Sequence, residues 1–217
     1  MSTLDLFFQF DDESDKSPPG DNNLSIDISG LTYLPAFVNA ETEGKILAAL
    51  EEYPWLNDLE RRVQHYGYRY NYKARRIDET MRVGNLPQWM TRIGERLVRG
   101  GYFEEVPDQV IVNEYLPGQG ITAHIDCEPC FGDTIASLSL GSSCIMDFSR
   151  NDIGESIPLW LERRSLVVLQ NDARFCWKHG IAKRRRDTKG GTVIARERRV
   201  SLTFRKVKSS WLTDPYM

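Results

Sequence analysis

A mainly β domain, a sandwich or barrel with helices packed outside it, is what this sequence predicts, on three observations. From Gln109 onward, short runs rich in Val, Ile, Leu and Thr are separated by Gly, Pro, Asn and Asp, the punctuation of successive strands. Two stretches with apolar residues at helical spacing come before them. The length, 217 residues of which 41% are hydrophobic, is enough to bury a sizeable core, and β domains of about 200 to 250 residues commonly stay single.

The tail comes first. Residues 11–23 combine Asp, Ser, Pro and Gly with almost no apolar side chains and are expected to be disordered, so residues 1–23 read as a tail and 24–217 as one domain. Within that domain, residues 24–106 hold the helices and 107–208 the strand-rich core. The first helix is expected over 41–53, where Ile46, Leu47, Ala49 and Leu50 form a stripe, and the second over 86–99, with Trp89, Met90, Ile93 and Leu97. Strands are expected over 110–115, 134–140, 143–148, 158–169, 174–181 and 199–206. No repeat of solenoid type is visible.

Composition narrows the function classes. No apolar run is long enough to cross a membrane, and the N-terminus carries acids where a secretory leader carries bases, so a cytoplasmic location is expected. A net charge of −3 provides no bulk attraction to nucleic acid, yet the charges are segregated, with acids in residues 11–15 and bases in two later stretches. Four cysteines, Cys127, Cys130, Cys144 and Cys176, read as reduced thiols in an intracellular chain of this size. Cys127 and Cys130 lack a second ligand pair at zinc-site spacing.

The chemistry is carried by His124, Asp126, His179 and the segment 199–205. Residues two apart on a strand share a face, so His124 and Asp126 present an imidazole and a carboxylate to one point while Ile125 packs behind them. A second histidine, His179, completes three ligands, and the chain has only three histidines in all. Two nitrogens and one carboxylate that leave the other octahedral positions open suit a non-haem Fe(II) oxygenase. Singly, each has a plain structural reading: a surface His-x-Asp pair, or a core histidine beside Trp177. In 199–205 the alternation puts Arg199, Ser201, Thr203 and Arg205 on one face. Six steps separate the two arginine backbones by about 20 Å, which leaves their guanidinium arms room for a small dicarboxylate between them. Arg199 and Arg205 could simply form surface salt bridges on an exposed strand face, a reading that the tight flanking alternation makes less attractive.

Taken together with Asn113 to Gly120, the Ser-Leu-Ser-Leu-Gly run at 137–141 and Trp177 beside His179, these residues resemble the AlkB family of Fe(II)- and 2-oxoglutarate-dependent dioxygenases. The likeness covers roughly residues 28–207, in the family's order and close to its spacing. It implies a double-stranded β-helix, a jelly roll with the metal at its mouth, flanked by N-terminal helices. It implies Fe(II) held by His124, Asp126 and His179, which are then the catalytic centre. It places the distal carboxylate of 2-oxoglutarate on Arg199, with Arg205, Asn113 and Tyr115 nearer the metal-bound end. The implied reaction hydroxylates an unactivated C–H bond as the oxo acid loses carbon dioxide. On an N-methylated base the hydroxymethyl product is a hemiaminal, which falls apart to formaldehyde and the restored base.

The same resemblance directs attention to residues 61–76, which hold four of the nine tyrosines at alternating positions among basic residues. Such a segment is expected to act as a nucleotide-recognition lid, with Tyr68, Tyr70 and Arg69 on a base and its phosphates, although a half-buried core strand would show the same pattern. Glu128, just beyond the His-x-Asp motif, stands where repair members of the family more often carry an aspartate to contact the base's exocyclic amine. The expected activity is demethylation of N-alkylated bases, of the 1-methyladenine and 3-methylcytosine type, in methylated RNA or DNA. Alternatives are hydroxylation of a modified tRNA wobble uridine, whose family branch residues 117–121, 137–142 and 146–148 resemble, or of a protein or small molecule. A catalytically silent nucleic-acid binder belongs to a different class and would lack turnover of 2-oxoglutarate. Lys183 to Arg186 read as a basic loop near the mouth that tracks a strand backbone. Residues 3–7 resemble a short sliding-clamp docking motif, with Thr3 in place of the preferred glutamine. The chain is expected to act as a monomer.

Overall fold

Side-chain alternation along the strands decides the architecture, because successive side chains point to opposite faces. The computed structural model describes residues 27–57, 59–150 and 154–208. In chain order these contain β1 (Leu31–Leu34), α1 (Ala40–Glu51), β2 (Arg62–Tyr66), α2 (Gln88–Arg99), β3 (Gln109–Tyr115), β4 (Ile121–His124), β5 (Phe131–Gly141), β6 (Cys144–Arg150), β7 (Glu155–Leu161), β8 (Leu166–Leu169), α3 (Asn171–Phe175), β9 (Lys178–Ile181), β10 (Arg186–Lys189), β11 (Thr192–Ala195) and β12 (Arg199–Val207). The tail expected at residues 1–23, with the clamp-like segment 3–7, lies outside the described residues.

Six strands form a large antiparallel sheet in the order β1-β8-β5-β12-β3-β2, and four form a smaller one in the order β4-β9-β6-β7. β10 and β11 make a separate hairpin. On β12, Val200, Leu202 and Phe204 point outward to meet Val110, Val112, Leu138 and Leu140 and the apolar stripes of α1 and α2. Its other face, with Arg199, Ser201, Thr203 and Arg205, points into the space between the two sheets. A second core, built on Phe131, Ile135, Val167 and Leu169 from the large sheet and Met146, Phe148, Leu159 and Leu161 from the small one, closes that space. This is a double-stranded β-helix with two helices packed on the outer face of its larger sheet.

The helices form where helical spacing predicts them, within two residues at each end. Asn39 caps α1 by accepting from the Thr42 N–H at 2.8 Å, and α2 ends at Gly100 with Arg96 and Arg99 against its negative pole. Inside α1, the fully buried Glu43 accepts from the Gly141 N–H at 2.8 Å and pairs with Arg163 and Arg164, tying the helix to two corners of the roll.

Two of the expected strands are corrected. Residues 158–169 are not one strand: the charged run Glu162 to Arg164, with Arg164 at φ 69°, turns a corner that sends β7 to the small sheet and β8 to the large one. Apolar residues on both sides of that corner conceal it from a reading by pattern. Residues 174–181 begin in the short helix α3, which opens at Asn171 with φ 46°, before β9. The tyrosine segment leaves its strand after Tyr66, at Gly67, whose φ of 75° ends the extended run. Four strands outside the expected set, β1, β4, β10 and β11, have four residues each, too short for alternation to show.

Candidate active site

His124 closes β4, and its Cα partner across the ladder is His179 on β9, which in turn faces Phe148 on β6. Gly180 permits that approach, because a Cβ there would lie 2.8 Å from the Cα of Ala123. The two imidazole centroids are 4.6 Å apart. Asp126 follows with its Oδ2 3.5 Å from His179 Nε2, and one ligand atom from each of the three residues lies within 4.8 Å of the others. Nδ1 of His124 is 2.8 Å from the Thr122 carbonyl oxygen, so it donates and Nε2 keeps the lone pair a metal needs.

The electrostatics put Asp126 and His179 in their metal-binding states. Burial by itself would raise the Asp126 carboxyl, but Arg205, the two imidazoles and Arg174 outweigh it and hold the group well below the usual carboxylate range. Arg205 donates from Nε to Oδ1 at 2.8 Å, and its Nη2 is 2.6 Å from the same oxygen. Arg174 donates to the Asp126 backbone carbonyl at 3.0 Å from a fully buried position behind it. Oδ2 is buried and accepts nothing. Burial, with His124 beside it, pushes His179 down to about 4, so its imidazole is neutral at neutral pH. An ionised carboxylate with an open lone pair and two imidazoles is the donor set of a divalent cation.

A cavity of about 890 Å³ opens from this centre between the sheets. At its inner end Arg199, 3% exposed, donates from Nη2 to Ser139 Oγ at 2.8 Å, while its Nε and Nη1 are buried without any partner. Two donors of one guanidinium left open in a buried site mark a place for a carboxylate, which would accept both in bidentate fashion. The Arg199 guanidinium sits 5.4 Å over the ring of Tyr115, its partner across the ladder on β3, and Asn113 stands two residues earlier on that strand, opposite Ser201, and lines the same cavity. Arg205, expected near the metal-bound end of 2-oxoglutarate, lines the cavity with its Nε and Nη2 on Asp126 Oδ1.

The rim carries Tyr70 and Tyr72, edge to face at 5.1 Å, with Arg61, Arg75, Lys178, Lys183 and the exposed Glu128 around them. Two residues expected here are elsewhere: Tyr68 is buried in the second core, and Arg69 is exposed and forms no part of the cavity wall. The basic run is less free than its sequence suggests, since Lys183 pairs with Glu60 at 2.5 Å and Arg184 with Asp187 at 2.6 Å. The reading of Cys127 and Cys130 as reduced thiols is corrected: they form a disulfide in the turn after Asp126, which brings their Cα atoms to 5.3 Å. Cys144 and Cys176 are free. Sequence reasoning missed Arg174, Arg61, Tyr72 and Gly180. Arg61 and Tyr72 stood within the segment singled out, whereas nothing marks Arg174 or Gly180 until the fold brings Asp126 and Ala123 against them.

Residues 30–205 match the model of the 2OG-Fe(II) oxygenase superfamily. The mouse tRNA (carboxymethyluridine(34)-5-O)-methyltransferase ALKBH8 is 37% identical over 206 residues, covering 82% of this chain and 30% of that protein. The chain belongs to the AlkB family of 2OG-Fe(II) oxygenases. An Arabidopsis thaliana alkylated DNA repair protein ALKBH8 homolog is 38% identical over 207 residues, covering 85% of this chain and 60% of that protein. The chain thus spans less than two thirds of either of these relatives. The solved structure of OsALKBH1 superposes with a TM-score of 0.63 at 17% identity, over 82% of this chain and 96% of that one, and so shares the fold. As an AlkB-family dioxygenase the chain uses Fe(II) and 2-oxoglutarate, and the unpartnered Asp126 Oδ2 and the open Arg199 guanidinium fit them.

Proposed function

We propose that this AlkB-family enzyme oxidatively removes alkyl groups from nitrogen atoms of nucleic-acid bases, in RNA or DNA. The observation that carries the reading is the rim: two tyrosine rings within 5.1 Å of each other, flanked by Arg61, Arg75 and Lys178, over a cavity that ends at the histidine and aspartate centre. Aromatic faces stack bases and cations neutralise phosphates, while chemistry on a base requires it out of its helical stack and inside a pocket. When bound, Fe(II) and 2-oxoglutarate supply the oxidation of an unactivated C–H bond by dioxygen.

The chain's own residues do the rest. His124 Nε2, His179 and Asp126 hold the metal, and Arg205 keeps the Asp126 carboxylate ionised and aimed. Arg199 receives the distal carboxylate of 2-oxoglutarate, with Asn113 and Tyr115 toward its other end. Tyr70 and Tyr72 hold the base, and the Glu128 carboxylate accepts from its exocyclic amine. The walls exclude bulk water, so that oxidation is confined to the substrate. The hydroxymethyl group left on a ring nitrogen then departs as formaldehyde.

Methylated oligonucleotides, single and double stranded, incubated with Fe(II), 2-oxoglutarate and oxygen provide the test. Mass spectrometry should show the unmodified base, with formaldehyde and succinate in equal amounts. Turnover of none of the methylated bases overturns the reading. A second reading, hydroxylation of a modified uridine at the tRNA wobble position, joins this chain's oxygenase family to the name of the mouse relative, a methyltransferase of carboxymethyluridine 34 in tRNA. It is distinguished by a stable product that retains the added oxygen on carbon.

A further inference from the structure

We infer that Arg61 sets the orientation of the Asn113 amide and thereby links the segment over the cavity mouth to the binding of 2-oxoglutarate. The inference rests on the reading above in one respect, that Asn113 meets the metal-side end of that ligand. Arg61 Nε lies 2.7 Å from Asn113 Oδ1. A guanidinium has donors only, whereas an amide has one accepting end and one donating end. Contact with Arg61 therefore requires the Asn113 oxygen, and the donating Nδ2 end is the one left for a ligand in the cavity that Asn113 lines. An anionic ligand needs donors. With Arg61 absent, the amide is free to turn its oxygen toward a carboxylate, where the two repel.

Local structure holds Arg61 to this task. On β2, Arg62 stands directly opposite Glu114 on β3, and its Nε and Nη2 reach the two Glu114 carboxylate oxygens at 2.5 and 2.7 Å. Alternation sends the next side chain back along the chain, Arg61, to the opposite face, which is the cavity side. The residues just before it cross the mouth: Glu60 pairs with Lys183 at 2.5 Å, and its carbonyl oxygen accepts from Gln119 Nε2 at 2.6 Å. The Arg61 guanidinium is 5.7 Å from the centre of the Tyr115 ring, whose other cation is Arg199 at 5.4 Å. A displacement of the strap over the mouth thus reaches the cofactor floor through a single side chain. Arg61 is a positioning residue, acting through Asn113.

The test is a double-mutant cycle read by calorimetric titration of 2-oxoglutarate into the Mn(II)-loaded full chain, which binds without turnover. Arg61→Met should weaken binding by about tenfold, as expected for one oriented hydrogen bond to a charged group. Arg61→Lys, which retains a donor-only head, should recover most of that loss. In an Asn113→Ala background, Arg61→Met should have no further effect. Equal losses in both backgrounds would mean that Arg61 acts by charge alone and would overturn the inference, as would an unaltered Arg61→Met. If Asn113→Ala itself binds normally, the coupling is refuted at Asn113, whereas failure of the wild-type chain to bind 2-oxoglutarate would instead remove the cofactor reading. Mn(II) affinity measured in the same samples, unchanged in a folded Arg61→Met, keeps the result separate from misfolding.

Discussion

At the scale of single residues, two side chains report on whether the cavity is built for its ligands. Arg199 leaves two buried donors open, and such groups are costly unless a ligand satisfies them. Arg199→Met should therefore raise the KM for 2-oxoglutarate by roughly 10- to 100-fold, while the apo protein should hold its stability or gain some, since the change removes unsatisfied polar atoms. Steady-state succinate release and thermal unfolding of the same preparations check both halves. His179 reports through pH. Its folded value lies near 4 and that of an exposed histidine near 6.5, so the unfolded chain takes up a proton that the folded chain refuses. Stability of the apo protein should be complete above about pH 6.5 and fall as pH drops toward 4, by about 3 kcal/mol from this residue. Asp126, held below the usual range, adds its loss only at more acidic pH. Denaturant unfolding of the metal-free chain from pH 7 to 4, compared with His179→Gln, tests this, and parallel profiles for the two proteins would refute it. The histidines and Asp126 were legible in the sequence through the His-x-Asp pair and its order with His179 and the arginines of 199–205, although Asp126 lies just past the end of β4 and not on the strand. Arg174 was not, because nothing in the pattern around it distinguishes an inward-pointing arginine from a solvated one.

At the scale of elements, the metal-binding geometry depends on how closely β9 lies against β4. The direct pairing of His124 with His179 needs Gly180, whose hydrogen atom occupies a place where a methyl group would meet the Ala123 backbone at 2.8 Å. Backbone cannot give way as a long side chain can, so Gly180→Ala should force β4 outward and separate the imidazoles. The expected cost is about 1 to 3 kcal/mol in stability, with a clear loss of Mn(II) affinity. Calorimetric Mn(II) titration and thermal unfolding would measure the two, and wild-type metal affinity in the variant would show that the pairing does not position the ligands. The helices were legible because twelve residues of 3.6 periodicity leave a strong trace. The corner at residues 162–165 was not, since it separates two apolar strands whose destinations are set by different sheets. β4 carries a metal ligand, yet with four residues it is too short for alternation to announce it.

At the scale of the whole molecule, the proposed nucleic-acid substrate must be drawn to a chain of net charge −3 by local charge rather than total charge. The sequence pointed to Lys183 through Arg186 for that task, but folding spends part of this run on partners: Lys183 on Glu60, and Arg184 on Asp187, which also holds Arg196 at 2.5 Å. Burial opposes ionisation of Asp187, and hydrogen bonds from Arg196 and Arg184 overcome it, so its carboxyl lies below the ordinary range and the pairing persists at neutral pH. Arg75 and Lys178, distant in sequence, stand at the rim of the cavity instead. Each phosphate neutralised on a single strand contributes about 0.7 to the slope of log affinity against log salt. Changing Arg75 and Lys178 together to alanine should therefore weaken oligonucleotide binding and flatten that slope by roughly 1.4, whereas Arg184→Ala should leave the slope as it is. Fluorescence anisotropy across a salt series distinguishes the two variants. A flattened slope in Arg184→Ala with none in the double variant would place the strand along the β10–β11 hairpin and away from the tyrosine rim.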